Sequence, residues 1–381
     1  MGGLPRYARE LAGALAAAGA DATLVVKRVS ADAPAVQRTA DGVTIVRHAV
    51  PSKRNPLFGA AYPLYTARGV LGPLRRAAGE PTIVHGHFAV STLPLALRGA
   101  PFLYTFHAPL WRELLDERQG TYHLPRAVQG AAVTGLRAAE RVVVARARHT
   151  VVLSQFMRTQ LGELSVRAGR EAEVLPGGID LAKFAPQPAV PRAGVEAPVL
   201  FTARRLVPRT GVDRLIEALP AIVAEHPLAS LAVAGVGEME DQLRQLAARA
   251  GVGERVQFLG RLSDDELVRW YRRATLVVMP TVRLEGFGLT IAEALACEAP
   301  VVGTPVGAIP ELLGRVDPSL LSADNSPAAL ATAIKRLLSA PERLRELAAR
   351  GRAVVVPGFG WRTIARRYLE LYEEVLAGES R

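Results

Sequence analysis

A chain of 381 residues with 49% hydrophobic and 22% charged side chains is long enough for two cores and reads as folded, neither disordered nor collagenous. No uninterrupted apolar run approaches the roughly 18 residues of a membrane helix. The net charge is +11 and the only cysteine is Cys297, so an internal disulfide framework is excluded.

The segment MGGLPRYARE lacks the apolar centre of a secretory signal, and Arg6 stands where a myristoylation site needs Ser or Thr. The expected location is the cytoplasm. CxxC pairs, a His-Glu-x-x-His run, a Walker A loop and an Asp-x-Asp pair are absent, so no motif calls for a metal or for P-loop chemistry. The charge is uneven. Up to residue 185, 23 Lys and Arg face 13 Asp and Glu, a net +10; beyond it, 24 face 23. With 6% aromatics, no RNP-like aromatic motif and no zinc-finger spacing, the basic half is not expected to bind nucleic acid.

Along the chain, short β-branched runs alternate with longer Ala/Leu/Arg stretches, the pattern of βαβ units. Strands are expected at 22–27, 43–48, 82–85, 102–106 and 149–154, with helices at 4–18 and 130–145 among them. The stretch 184–198, FAPQPAVPRAGVEAP, is rich in Pro and Ala without a sustained period and reads as a linker. A second series follows, with strands at 199–203, 230–234, 256–259, 276–279 and 300–303. Its helices are expected at 211–226, 239–250, 264–274, 290–297 and 327–350. In 363–376, Ile364, Tyr368, Leu371 and Val375 recur at helical spacing.

The expected architecture is therefore α/β, with two doubly wound, Rossmann-like domains. Residues 1–185 form the first, 186–198 the linker and 199–358 the second; 359–381 form a helix crossing back to the first domain. Ligands of such folds bind at the carboxyl ends of the strands, here in a cleft between the domains.

The densest local signal is RLEGFGLTIAEALACE, 283–298, which follows an apolar strand and opens a helix near Thr290. Gly286 and Gly288 leave backbone N–H groups open to close approach. The helix N-terminus behind them suits a diphosphate. Glu285 and Glu293 supply carboxylates that accept from sugar hydroxyls.

With this segment the chain resembles family 4 of the retaining glycosyltransferases, which have the GT-B fold. The resemblance runs in order over nearly the whole chain, through GGLPRYARELAGALAAAG, TIVHGHF, FLYTFHAP, VVLSQFMRTQL, VLPGGIDLAKF, ARRLVPRTGVDRLIEAL, VAGVGEMEDQL, EGFGLTIAE and GAIPELL. It implies roles residue by residue. Glu285 would lie by the donor sugar, Gly286, Phe287 and Gly288 would hold sugar hydroxyls, and Leu289 and Thr290 would approach the diphosphate. Glu293 would hold the ribose, Arg205 the diphosphate, and His107 would stand near the transferring sugar. Gly2 and Gly3 would form the loop beneath the diphosphate. His85 and His87 flank Gly86 and stay open between structural and functional readings; Trp270 and Tyr271 read as core.

Two departures stand out. The family's lysine before the glycine is replaced by Thr210, with Arg209 the adjacent candidate for its charge. The family's first strand precedes the glycine loop, whereas here Met1 directly precedes Gly2 and Gly3. A break at the centre of the first domain's sheet is therefore expected.

The function implied is transfer of a hexosyl unit from a UDP-, GDP- or ADP-sugar to an acceptor hydroxyl, with retention and without a required cofactor or metal. The +10 half raises an anionic or membrane-presented acceptor, and hence peripheral attachment to an anionic bilayer, against the plainer reading that dispersed charge serves solubility. The alternatives are a nucleotide-sugar epimerase and a sugar-nucleotide-binding protein without catalysis.

Overall fold

Apolar β-branched runs that are buried on both faces become parallel strands, because the helices linking them cover the two sides of the sheet. The computed structural model of the protein describes residues 3–28, 30, 32–50, 58–76, 82–112, 126–187 and 192–379. It divides into two compact units: the described residues up to 178 together with 361–379, and the described residues from 179 to 360.

In the first unit, α1 (Gly3–Ala17) leads into β1 (Thr23–Lys27), β2 (Val36–Arg38) and β3 (Thr44–His48). β1 pairs parallel with β3, and β2 antiparallel, in the order β1-β3-β2. Ala12, Val43 and Ile45 form the small core of this layer. After α2 (Phe58–Arg76) comes a separate parallel sheet, β4 (Val84–Gly86), β5 (Phe102–Phe106), β6 (His149–Val152) and β7 (Glu173–Val174), in chain order. Its helices are α3 (Ala89–Leu97), α4 (Arg126–Arg146), α5 (Gln155–Leu164) and the short α6 (Val166–Glu171). Phe102, Tyr104, Phe106, Met157 and Leu161 are at most 3% exposed and fill its core.

Among the described residues β1 and β4 do not pair. The break falls at the centre of the strand set, where it was expected, so this half is two sheets and not one continuous doubly wound sheet. The antiparallel β2 was not foreseen: VQR is short and fully exposed, so it carries no apolar alternation.

The second unit holds one five-stranded parallel sheet in the order β10-β9-β8-β11-β12. Its strands are β8 (Val199–Ala203), β9 (Ser230–Ala234), β10 (Val256–Gly260), β11 (Leu276–Met279) and β12 (Val301–Gly303). The chain runs outward from β8 in one direction, then returns to β8's other side with β11. The topological switch point, where the strand ends diverge and leave a crevice, therefore lies between β8 and β11.

The helices of this unit are α7 (Val212–Glu225), α8 (Glu240–Arg249), α9 (Asp264–Arg273), α10 (Leu289–Ala296), α11 (Ile309–Val316), α12 (Pro327–Leu338) and α13 (Pro341–Phe359). The single helix expected at 327–350 is in fact two. Pro341 forces Ala340 out of the helical region, to φ −131°, and ends the first helix at Leu338.

Part of the expected linker is pinned to this unit. The Arg192 guanidinium donates to the carbonyls of Tyr271, Ala274 and Glu298 at 3.1, 2.7 and 2.9 Å, closing the C-terminal ends of α9 and α10. Phe184, 1% exposed, packs against Tyr271, which explains why the division falls before residue 185. The final helix, α14 (Trp361–Glu379), belongs to the first unit. Among the described residues no helix is long and apolar enough to cross a membrane.

Candidate active site

Three segments of the second unit meet at its switch point. Arg204 and Arg205 follow β8, the turn 208–211 comes next, and 281–290 run from β11 into α10. The first close approach depends on Gly211, at φ +73°, where a Cβ would collide with the carbonyl of Pro280. It brings the Arg209 carbonyl within 2.9 Å of the Val282 N–H, and Arg209 Nη1 donates to Leu284 O at 3.1 Å. Arg209 therefore lies on the loop that carries Glu285. Thr210 does not face a ligand: its buried hydroxyl is shared between the carbonyls of Arg205 and Val207, each at 2.7 Å.

The glutamate loop is held on both sides. Leu284 adopts φ +53°, a left-handed conformation that costs a residue with a Cβ roughly 1–3 kcal/mol and persists only when its surroundings enforce it. Glu285 O accepts from Ala308 N–H at 2.9 Å, and Gly307, at φ +63°, is the residue whose missing side chain permits that contact. The Glu285 carboxylate takes a hydrogen bond from Arg204 Nη1 at 2.7 Å.

Phe287, 8% exposed, stacks on Phe359, while Gly288 caps α10 at φ +88°, leaving Leu289 and Thr290 in its first turn. Glu293 lies one turn further on. It is 3% exposed, and its Oε2 accepts from the Tyr271 hydroxyl at 3.1 Å. Arg205, next to Arg204 in the chain, is exposed. Cys297 is fully buried, and burial pushes its thiol up to about 12, so it is neutral and unreactive here. A recess of about 160 Å³ lined by Val199, Ser230 and Trp270 opens at the N-terminal ends of β8 and β9, the opposite edge of the sheet.

The first unit gathers its own polar cluster at the carboxyl ends of β4 and β5. His107 Nε2 lies 3.1 Å from His87 Nδ1. His85, tilted at 35° against His87 with ring centroids 4.0 Å apart, contacts the Tyr372 hydroxyl at 2.8 Å and Thr105 Oγ1 at 2.7 Å. Thr105 continues to Tyr368, and Tyr368 to Tyr7, at 3.0 and 2.9 Å. Both tyrosines of α14 therefore close a network that α1 and the two strands begin.

Burial lowers the His87 imidazole to about 4, and burial with the neighbouring histidines holds His85 and His107 well below 6.5. All three rings are neutral at pH 7. Both nitrogens of His85 and one each of His87 and His107 take part in these contacts. Gly3 is the first residue of α1, and Gly2 lies outside the described residues.

The sequence therefore placed Glu285, Gly286, Phe287, Gly288, Leu289, Thr290, Glu293, Arg205 and Arg209 in segments that converge at one crevice. It did not foresee the contacts of Arg204 with Glu285 and Thr281, or that of Tyr271 with Glu293. The doubled arginine after β8 was the available signal for Arg204. Tyr271 was read as core from its helical position, and its buried ring hides a hydroxyl aimed at Glu293.

Residues 1–183 match the family described as Glycosyltransferase Family 4, and residues 185–354 match Glycosyl transferases group 1. The D-inositol 3-phosphate glycosyltransferase of Frankia alni is 31% identical, covering 99% of this chain and 95% of that one. The GDP-mannose-dependent alpha-(1-6)-phosphatidylinositol monomannoside mannosyltransferase of Mycolicibacterium smegmatis is 30% identical over 82% of this chain and 75% of its own. Among solved structures, sucrose-phosphate synthase from Thermosynechococcus elongatus superposes with a TM-score of 0.81 at 24% identity, covering 99% of this chain and 94% of that one. The match in both halves, with a parallel α/β sheet and its crevice residues in the second, establishes the chain as a GT-B-fold glycosyltransferase of family 4.

Proposed function

We propose that the protein transfers a glycosyl unit from a nucleotide diphosphate sugar to an acceptor hydroxyl with retention of anomeric configuration. The observation that carries this reading is the convergence, at the β8/β11 switch point, of two carboxylates, the Gly-Phe-Gly loop and the N-terminus of α10, with arginines on the adjoining loop. In this reading Glu293, oriented by Tyr271, binds the ribose hydroxyls, and Glu285 and the 286–288 amides bind the donor sugar. Arg205, Arg209 and the N–H groups of the first turn of α10 stabilise the negative charge that grows on the leaving diphosphate. No opposite-face nucleophile is assigned, so attack comes from the face the diphosphate leaves, through an oxocarbenium-like ion pair. His107, neutral and hydrogen-bonded to His87, lies near the transferring sugar in the same reading. It offers a ring nitrogen without adding charge.

The acceptor is proposed to be anionic. The support is the net +10 of residues 1–185 and the two relatives whose names carry a phosphorylated inositol. The test is a matrix of UDP-glucose, UDP-N-acetylglucosamine, GDP-mannose and ADP-glucose against D-inositol 3-phosphate, inositol and glucose 6-phosphate. Released nucleotide is measured, and the anomeric proton of any product is read by NMR. Turnover with an inverted product, or none with any pair, refutes the respective part of the reading.

A further inference from the structure

The ion pair between Arg204 and Glu285 is fixed at both of its ends. Arg204 Nη1 donates to Glu285 Oε2 at 2.7 Å and Nη2 donates to Thr281 Oγ1 at 2.9 Å, with only 8% and 15% of the two charged side chains exposed. The two bonds leave one rigid planar fork in different directions, so the guanidinium cannot turn without losing one of them. Its anchor is itself held: Thr281 is fully buried, and its carbonyl accepts the Thr304 hydroxyl at 2.6 Å. The Glu285 backbone is fixed independently by Ala308 and by the left-handed Leu284. Only the side-chain torsions of Glu285 remain to be set, and Arg204 sets them.

The charge balance points the same way. An unpaired carboxylate beside a nucleotide diphosphate repels it, and in a crevice of reduced dielectric that repulsion reaches further than in water. Thr210 brings no charge to relieve it, its hydroxyl being turned onto the Arg205 and Val207 carbonyls.

We propose that Arg204 is a positioning residue of the donor site: it holds the Glu285 carboxylate toward the donor sugar and cancels the charge that carboxylate would otherwise oppose to the diphosphate. The inference rests on the donor-site reading above, and it places at residue 204 a cationic function that Thr210 cannot supply.

The test needs neither the sugar nor the acceptor. UDP, GDP and ADP are titrated calorimetrically into the wild-type protein, and the tightest of them is the probe. Arg204→Met should weaken it by about tenfold, the Coulomb cost of one uncompensated charge at this range. Arg204→Met/Glu285→Gln should return the affinity to within about threefold of wild type, because the opposing charge is gone. A merely structural arginine would not show this recovery.

Glu285→Gln alone keeps Arg204 paired and should bind the probe about threefold or more tighter while losing turnover. That variant carries the test if Arg204→Met fails to fold. Equal affinity in Arg204→Met and wild type, or a double variant no tighter than the single, overturns the inference alone, as does a Glu285→Gln that binds no tighter than wild type. Failure of the wild type to bind any of the three diphosphates overturns the donor-site reading and the inference together.

Discussion

Lowering the pH from 7.5 to 5 should selectively weaken the first unit, because folding keeps three histidine rings neutral. A base whose folded value lies below its unfolded value contributes no penalty above the unfolded value. It then costs stability progressively as the pH falls through the interval between the two. For His87 that interval runs from 6.5 down to about 4. Linkage over this interval gives a loss at pH 5 of at most about 2 kcal/mol from His87 alone, against less than about 0.1 kcal/mol at pH 7.5. His85 and His107 shift in the same direction and add to it, with burial the leading cause in each.

The acidic groups that folding lowers act below this window. Asp41 is held at about 2 by Arg9, and Glu173 and Asp317 are also lowered, so their contributions are lost below pH 5. For a unit of this size about 2 kcal/mol corresponds to a fall in Tm of roughly 4–8 °C. The assay is differential scanning calorimetry at constant ionic strength, comparing wild type with His87→Asn, whose amide preserves a hydrogen bond to His107 without titrating. The variant should lose markedly less Tm on acidification. Equal losses in the two proteins, or no loss in either, would refute the argument from ring burial.

Other outcomes follow from the same contacts. Glu285→Gln should lower kcat by at least about tenfold, while Glu293→Gln should mainly raise the donor KM, because ribose contacts are alike in ground and transition states; steady-state kinetics separates the two. Arg192→Met leaves the carbonyls at the ends of α9 and α10 without their donor and should cost about 3 kcal/mol, read as a lower midpoint in urea. If the basic half meets an anionic bilayer, the protein should sediment with phosphatidylserine vesicles at 50 mM salt and be released at 500 mM, an effect of about 1 kcal/mol per engaged Arg or Lys. No salt-sensitive sedimentation rejects the membrane version of the anionic-acceptor proposal.

The second unit was the more legible of the two, and its residues show why. Runs such as LVVM at 276–279 are buried on both faces, so an unbroken apolar signal marks each strand, and the Gly-Phe-Gly loop marks the crevice from within the chain. What escaped were pairings between distant segments of ordinary residues. Nothing local at Arg204 announces a partner 81 positions away, and nothing at Tyr271 announces Glu293.

The first unit was harder for a further reason. Five of its strands were located to within about two residues, β2 and β7 were not foreseen, and which strand meets which depends on hydrogen-bonding edges that no side-chain pattern encodes; the orders β1-β3-β2 and β4-β5-β6-β7 are visible only in the fold. The same limit governed the histidines. His107 was placed at the end of its strand by a motif, but its neutral state depends first on burial and then on His87, twenty residues earlier. The network beside it depends on Tyr368, which lies on the last helix and which periodicity could only mark as apolar. Sequence patterns report burial well because burial repeats with the period of the element. Single hydrogen bonds repeat with nothing, and in both units they decide which charged side chains are paired and how the buried polar ones are oriented.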